Sequence, residues 1–213
     1  MSQVDHRKIV NDELEKLGLQ LTAAFNTDLD TMINAEKDFV LAMVDLDMFD
    51  SINKRFGEDI GDKVLIETGK QLIEKLCENG KCYRYGGDQF AIILNEAIEK
   101  EGALFVLEAI RSSFRVELPD KTSAEISIGI AANNDDAATA SELIRKAEGA
   151  MIRAKQVGRN KVCLARDDKM VTKTTHYTAE QLHRLTKISK REGIGEAILL
   201  REALDALLKK YDV

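Results

Sequence analysis

The 213-residue chain is poor in cysteine and histidine, with three of each, and lacks any apolar run near the roughly 20 residues that cross a bilayer. Cys77, Cys82 and Cys163 leave one thiol over in any disulfide scheme, and no histidine stands at zinc-ligand spacing around them. Reduced, structural thiols are expected. The opening Met1 to Lys8 has no apolar core of the kind a signal peptide needs, so the expectation is a cytoplasmic protein with no membrane partner. A basic excess is missing too: the net charge of −6 argues against bulk coating of nucleic acid and leaves room for a local basic face.

What is present describes a globular protein. Hydrophobic residues make up 44% and charged residues 32%, and the length holds one domain with a good core plus a small second one. The apolar run Phe39 to Val44 predicts a buried strand, and it ends abruptly in Asp45 and Asp47 before an amphipathic helical pattern. Carboxylates where a strand enters a helix make a candidate divalent-metal site, since Mg²⁺ takes few carboxylates and completes its shell with phosphate oxygens. Free amides at the helix start can hold those phosphates. A plainer reading of Asp47 is a helix cap.

A second stretch, Tyr83 to Leu94, has two β-rich runs flanking Gly86-Gly87-Asp88 and predicts a hairpin whose turn presents a further carboxylate. Taken alone, such a turn reads as chosen for its backbone angles. Helices are expected over about 6–25, 60–76, 103–114 and 140–156, a turn with a short helix over 26–37, and strands over 82–85 and 124–131. Strands alternating with helices predict an α/β sandwich.

Together these stretches, with Ser127 to Ala131 as a late core strand and Ala147 to Val162 as a last helix and exit strand, resemble the GGDEF domain of diguanylate cyclases over about residues 5–165. The resemblance implies a nucleotidyl-cyclase-like α+β sandwich, its central, mostly antiparallel sheet flanked by helices. It implies that Asp45, the Leu46 carbonyl and Asp88 hold Mg²⁺, with Asp45 and Asp88 catalytic if the domain is active. Gly86 and Gly87 would let the nucleotide approach, the Met48 and Phe49 amides with Lys155 and Arg159 would hold phosphates, and Asn53 and Asp62 would read guanine. The ligand would be GTP or cyclic di-GMP.

Several positions depart from the family pattern. Gln89 stands where the signature has glutamate, Asp50 where a phosphate-contacting lysine is common, and Glu58 where a histidine is common. These changes lean the reading towards binding without catalysis. Cys77 and Gly80 occupy the two charged positions of the family's product-inhibition site, so that site is expected to be absent. The family's Asp-x-Leu-Thr-Gly-Leu-x-Asn-Arg segment is represented only by its end, Asp5-His6-Arg7, implying that input does not arrive through that edge.

After a charged linker at 166–171, residues 172–213 read as a short β-branched strand and two amphipathic helices, and they resemble a ribbon-helix-helix DNA-binding domain. Such a unit is too small to bury a core alone, so a homodimer is implied, with assembly beyond a dimer left open. Lys173, Thr175 and Tyr177 share one strand face and would meet bases in the major groove. Gly195 and Glu196 at the start of the second helix would approach a phosphate. This segment carries eight basic and six acidic residues, leaving −8 on the rest. The leading expectation is a dimeric DNA-binding regulator whose GGDEF-like domain, residues 1–165, senses a guanine nucleotide. The alternatives are an active cyclase whose C-terminal segment dimerises it or subjects it to DNA control, and an antitoxin-like protein whose first domain is a scaffold without a ligand.

Overall fold

Residues on strand β2 (Val40–Leu46) point alternately to two different cores, which is why its sequence is an unbroken apolar run. Val40, Ala42, Val44 and Leu46 pack on one face, while Leu41 and Met43 pack on the other with Phe39, the residue that precedes the strand. The computed structural model describes residues 6–96, 98–133, 135–166, 174–192 and 195–211. It divides into two compact units, Met1–Asp167 and Asp168–Val213.

In the first unit, β2 lies at the centre of a six-stranded sheet with β1 (Gln20–Leu21), β3 (Gly80–Gly86), β4 (Gln89–Leu94), β7 (Ile126–Ala132) and β8 (Val162–Leu164). The order is β1-β3-β4-β2-β7-β8, antiparallel except at the two outer pairs. Strands β5 (Val116–Glu117) and β6 (Ser123–Ala124) form a separate small ribbon. One face is covered by α1 (His6–Lys16), α4 (Glu58–Leu76) and α5 (Lys100–Ser113), and the other by α2 (Thr22–Asn34) and α6 (Ala140–Gln156). The architecture is the mixed sandwich the sequence predicts.

The first helix differs from expectation. The apolar spacing continues past residue 16, but the chain breaks at Leu17-Gly18, where Gly18 takes φ 88°, and adds the edge strand β1 before α2 begins. A single glycine in a helical pattern is a weak stop signal until its angle is known. The segment 26–37, expected as a turn with a short helix, lies mostly within α2, whose Phe25 and Leu29 are buried.

Close helix–sheet contact has a local cause at Gly129. A Cβ there would sit 2.1 Å from both the Ala147 carbonyl oxygen and the Met151 amide nitrogen, so only glycine lets α6 rest directly on β7.

The second unit contains α7 (Ala179–Glu192) and α8 (Glu196–Tyr211). Helix α7 opens with a capping box: Gln181 N donates to Thr178 Oγ1 at 3.2 Å, and Thr178 N donates to Gln181 Oε1 at 2.9 Å. Among the described residues, 174–178 form no strand; a ribbon strand needs a hydrogen-bonded neighbour. Thr175 and Tyr177 are therefore in exposed, irregular backbone, and Lys173 lies outside the described residues.

Candidate nucleotide site

The site is assembled where β2 ends, where β3 turns into β4, and where α1, α3 (Phe49–Phe56) and α4 begin. A cavity of about 310 Å³ there is lined by Arg7, Val10, Phe49, Asp50, Asp62, Leu65, Arg84, Gly87 and Asp88. Four sequence-predicted residues, Phe49, Asp62, Gly87 and Asp88, are brought together in its wall.

The other predicted residues flank it. Met48 takes a left-handed conformation, φ 58°, immediately before the helical Phe49. That pairing of backbone conformations turns successive amides towards one point, an anion-binding nest, and neither Met48 nor Phe49 spends its N–H on a backbone partner. Asn53 lies against Gly61, where a Cβ would sit 1.8 Å from Asn53 Oδ1, so glycine brings α3 up to the turn that carries Asp62. Asn53 Oδ1 is buried without a hydrogen-bond partner.

Asp45, 2% exposed at the end of β2, sits beside Gln89, its partner across the sheet. Gln89 Nε2 donates to Asp45 Oδ2 at 3.1 Å, while Asp45 Oδ1 faces Lys155 Nζ at 2.6 Å, an ion pair without hydrogen-bond alignment. Asp88 has its carboxyl raised above the usual range, first by burial and then by the nearby Asp45 charge. Leu46 N donates to the Asp88 carbonyl at 3.3 Å, tying the turn to β2. Gly86 and Gly87 have φ 154° and 55°, and a Cβ on either would project into open space rather than into the protein. Arg159, φ 58°, stands in the turn that follows α6.

Asp47 is not a helix cap; the residue flanking α3 is Met48, and no side chain caps that helix. The left-handed bend at Met48 separates Asp47 from the helix amides and turns it inward. There its carboxylate accepts from Ser127 Oγ at 2.8 and 3.0 Å and from Asn160 N at 2.9 Å. Asp47 thereby anchors the Arg159-Asn160 turn to the end of β2. Burial raises its carboxyl.

Three cleft residues were not assigned from sequence. His6 Nδ1 lies 2.7 Å from Asp62 Oδ2, and His6 Nε2 lies 3.6 Å from Glu58 Oε2. Arg7 lines the cavity, and so does Arg84, which is only 6% exposed. The signal for Arg84 was a cation inside an apolar strand, two residues ahead of the Gly-Gly turn. His6 and Arg7 stand in the sequence only as the end of the family's first segment; no spacing links them to Asp62 and the cleft, which His6 reaches across 56 positions of chain.

With this geometry in hand, residues 18–161 match the family described as diguanylate cyclase, GGDEF domain. The chain belongs to the GGDEF family. Residues 170–212 match the ribbon-helix-helix domain, so a GGDEF domain is followed by a ribbon-helix-helix domain.

Diguanylate cyclase VdcA of Vibrio cholerae is 31% identical over 151 residues, 68% of this chain and 44% of VdcA. Diguanylate cyclase A of Treponema denticola is 34% identical over 133 residues, 60% of this chain and 35% of that protein. The chain thus spans less than half the length of these relatives. Among solved structures, the GGDEF domain of YfiN (TpbB) from Pseudomonas aeruginosa matches with a TM-score of 0.64 at 29% identity, covering 71% of this chain and 99% of that one. The coiled coil and GGDEF domain of DgcB from Caulobacter crescentus, in complex with cyclic di-GMP, matches with a TM-score of 0.61 at 25% identity, covering 69% of this chain and 82% of that one.

In the ribbon-helix-helix unit, Gly195 accepts from Leu199 N at 3.2 Å at the start of α8, and Glu196 Oε1 accepts from Thr186 Oγ1 of α7 at 2.5 Å. Leu182, Leu204, Leu207, Leu208 and Tyr211 are each at least 44% exposed. No helix among the described residues is long and apolar enough to cross a membrane.

Proposed function

We propose that this protein is a dimeric, DNA-binding transcription regulator of the cytoplasm whose GGDEF domain binds a guanine nucleotide, GTP or cyclic di-GMP. The observation that carries the proposal is the Gln89 amide donating to Asp45 in a GGDEF domain joined to a ribbon-helix-helix domain. At the signature position where a carboxylate would hold metal or polarise an attacking hydroxyl, this chain has a donor that ties up a neighbouring carboxylate instead. Nucleotide recognition does not depend on that position. Asn53 and Asp62 would read guanine, the Met48 and Phe49 amides with Lys155 and Arg159 would hold phosphates, and Gly86 and Gly87 would leave room for the ligand.

The residues present fit Mg²⁺. Asp45 Oδ1 is a buried oxygen whose ion pair with Lys155 is not an aligned hydrogen bond, and Asp88 is a second, half-buried carboxylate close enough to feel its charge. Asp45, Asp88 and the Leu46 carbonyl would supply hard oxygen ligands. No group of three or more metal-binding side chains occurs among the described residues, so nucleotide oxygens and water would complete the shell. Bound there, Mg²⁺ would neutralise phosphate charge.

The ribbon strands of two copies would pair, presenting Lys173, Thr175 and Tyr177 to bases and Gly195 and Glu196 to the DNA backbone. The apolar side chains exposed on α7 and α8 would be buried between the copies. The nucleotide shifts DNA binding only as far as it binds the DNA-competent arrangement with different affinity from the other.

Selection from random duplexes, with and without GTP or cyclic di-GMP, tests this reading. It is supported by a recovered palindromic or repeated site that nucleotide alters and that Lys173→Ala loses. It is overturned if no site is enriched under any condition.

A second reading, an active cyclase dimerised through its C-terminal domain, is favoured by the survival of Asp45, Asp88 and Lys155. Cyclic di-GMP formation from GTP and Mg²⁺ that disappears in Asp88→Ala would establish it.

A further inference from the structure

The turn that carries Arg159 is held in a conformation that most residues avoid. Helix α6 closes with a paired stop, Gly158 N donating to the Lys155 carbonyl at 3.4 Å and Arg159 N to the Ala154 carbonyl at 3.0 Å, with Gly158 at φ 115°. The next two residues stay left-handed, Arg159 at φ 58° and Asn160 at φ 45°. Asparagine tolerates such angles better than arginine does, and they persist only where the surroundings over-determine them.

Asn160 supplies that determination. Its N–H donates to Asp47 Oδ2 at 2.9 Å, its Nδ2 donates to Glu125 Oε1 at 2.9 Å, and its Oδ1 accepts from Arg111 Nη1 at 2.5 Å. A carboxylate on one side of the amide and a guanidinium on the other leave it a single orientation. Arg111, on α5, is itself fixed. Its Nε donates to Glu108 Oε2 at 2.9 Å and its Nη2 to Glu108 Oε1, a two-point pair one helical turn back that leaves Nη1 for Asn160. The Arg111 side chain is only 17% exposed, whereas Glu108 is half exposed.

We infer that Arg111 is a positioning residue for phosphate: by fixing the Asn160 amide, it holds the turn from which Arg159 meets the phosphates of the bound nucleotide. This rests on the reading above in which Arg159 holds phosphate. An arginine on a loose turn loses backbone and side-chain freedom when ligand arrives, and one on a fixed turn loses side-chain freedom alone. Neither Arg111 nor Asn160 lines the cavity beside Asp62. Guanosine, which has no phosphate, should therefore be indifferent to Arg111.

The test is titration calorimetry on the full chain with GTP and guanosine, applied to wild type, Arg111→Ala, Arg111→Lys, Arg159→Ala and the double variant Arg111→Ala with Arg159→Ala. Arg111→Ala is expected to lose roughly tenfold in affinity for GTP while guanosine is held within about twofold. Arg111→Lys falls between, because an ammonium lacks the fork that serves Glu108 and Asn160 together. In the Arg159→Ala background, Arg111→Ala should change GTP affinity by less than about twofold, since no guanidinium is left to position. Equal losses for GTP and guanosine overturn the inference, as does an Arg111 effect that persists without Arg159. Should the Arg111 variants not fold, the surface variant Glu108→Ala decides. A loss for GTP of roughly twofold to fivefold with guanosine unchanged supports the inference, and an unchanged GTP affinity overturns it. If Arg159→Ala binds GTP as wild type does, the phosphate role of Arg159 fails and this inference with it. If wild type binds neither ligand, the nucleotide reading itself fails.

Discussion

Gln89 and Asp45 face each other across the antiparallel β2–β4 pair, with Gln89 Nε2 3.1 Å from Asp45 Oδ2. An amide at this position satisfies one carboxylate oxygen that a glutamate would repel. Gln89→Glu is expected to restore a third acid beside Asp45 and Asp88 and to raise Mg²⁺-dependent formation of cyclic di-GMP by on the order of tenfold or more. Chromatography of GTP reactions checks this. No increase would locate the catalytic deficit elsewhere, with Asp50 the next suspect because its charge already acts on Asp88.

On the proposed nucleotide reading, His6 would compete with guanine for Asp62, which it meets at 2.7 Å. The hydrogen bond that His6 donates to Asp62, aided by the charges of Asp62, Glu58 and Asp59, raises the His6 pKa above its ordinary 6.5. The charged pairing is then fully present below about 6.5 and is lost as pH rises through the raised folded value. Affinity for guanosine, which carries no phosphate to titrate, is expected to rise by roughly three- to tenfold from pH 6 to pH 8. In His6→Ala the slope disappears. A wild-type affinity that is flat with pH would show that His6 leaves Asp62 at no cost.

Asp47 acts as a structural anchor. Asp47→Ala leaves the Ser127 hydroxyl and the Asn160 amide without their acceptor, a loss of about 1–3 kcal/mol. A fall in Tm of roughly 3–10 °C is expected, together with weaker binding of GTP relative to guanosine as the Arg159 turn loosens. A calorimetric melt and the two titrations measure both effects.

Leu208, half exposed on α8, is expected to be covered by a second copy. Leu208→Glu should turn a two-chain mass into a one-chain mass by light scattering and abolish retention on DNA. Guanosine binding by the GGDEF domain should be unchanged. A wild type that is already monomeric at micromolar concentration would remove the dimer from the proposal.

Much of the fold was legible because its signals were local. The doubly buried run of β2, the Gly-Gly turn of the hairpin and the span of α6 can each be read within a dozen or so residues, and α6 ends where its periodicity ends. The break at Gly18 was hidden by apolar spacing that fits a continuing helix. At the site, Asp45, Asp62 and Asp88 were found through family resemblance, but how each is satisfied was not. The Asp45–Lys155 pair, the Asp47–Asn160 bond and the His6–Asp62 contact join parts of the chain far apart in sequence, and spacing carries no information about them. For Asp47 a strand–helix junction offers both a metal-site carboxylate and, more plainly, a helix cap, and the structure uses it as neither a cap nor a cleft residue but as an anchor for the turn at Asn160. A single left-handed residue at Met48 redirected it.

Gly129 gives this cleft an unexpected ruler. Lys155 lies one turn beyond Met151 on α6, the helix that rests on Gly129. The height of α6 above the sheet therefore sets how far the ammonium can reach towards Asp45. One missing methyl group in the middle of the sheet fixes the position of a positive charge at its end, so a variant enlarged at residue 129 would change the cleft's electrostatics without touching a single charged residue.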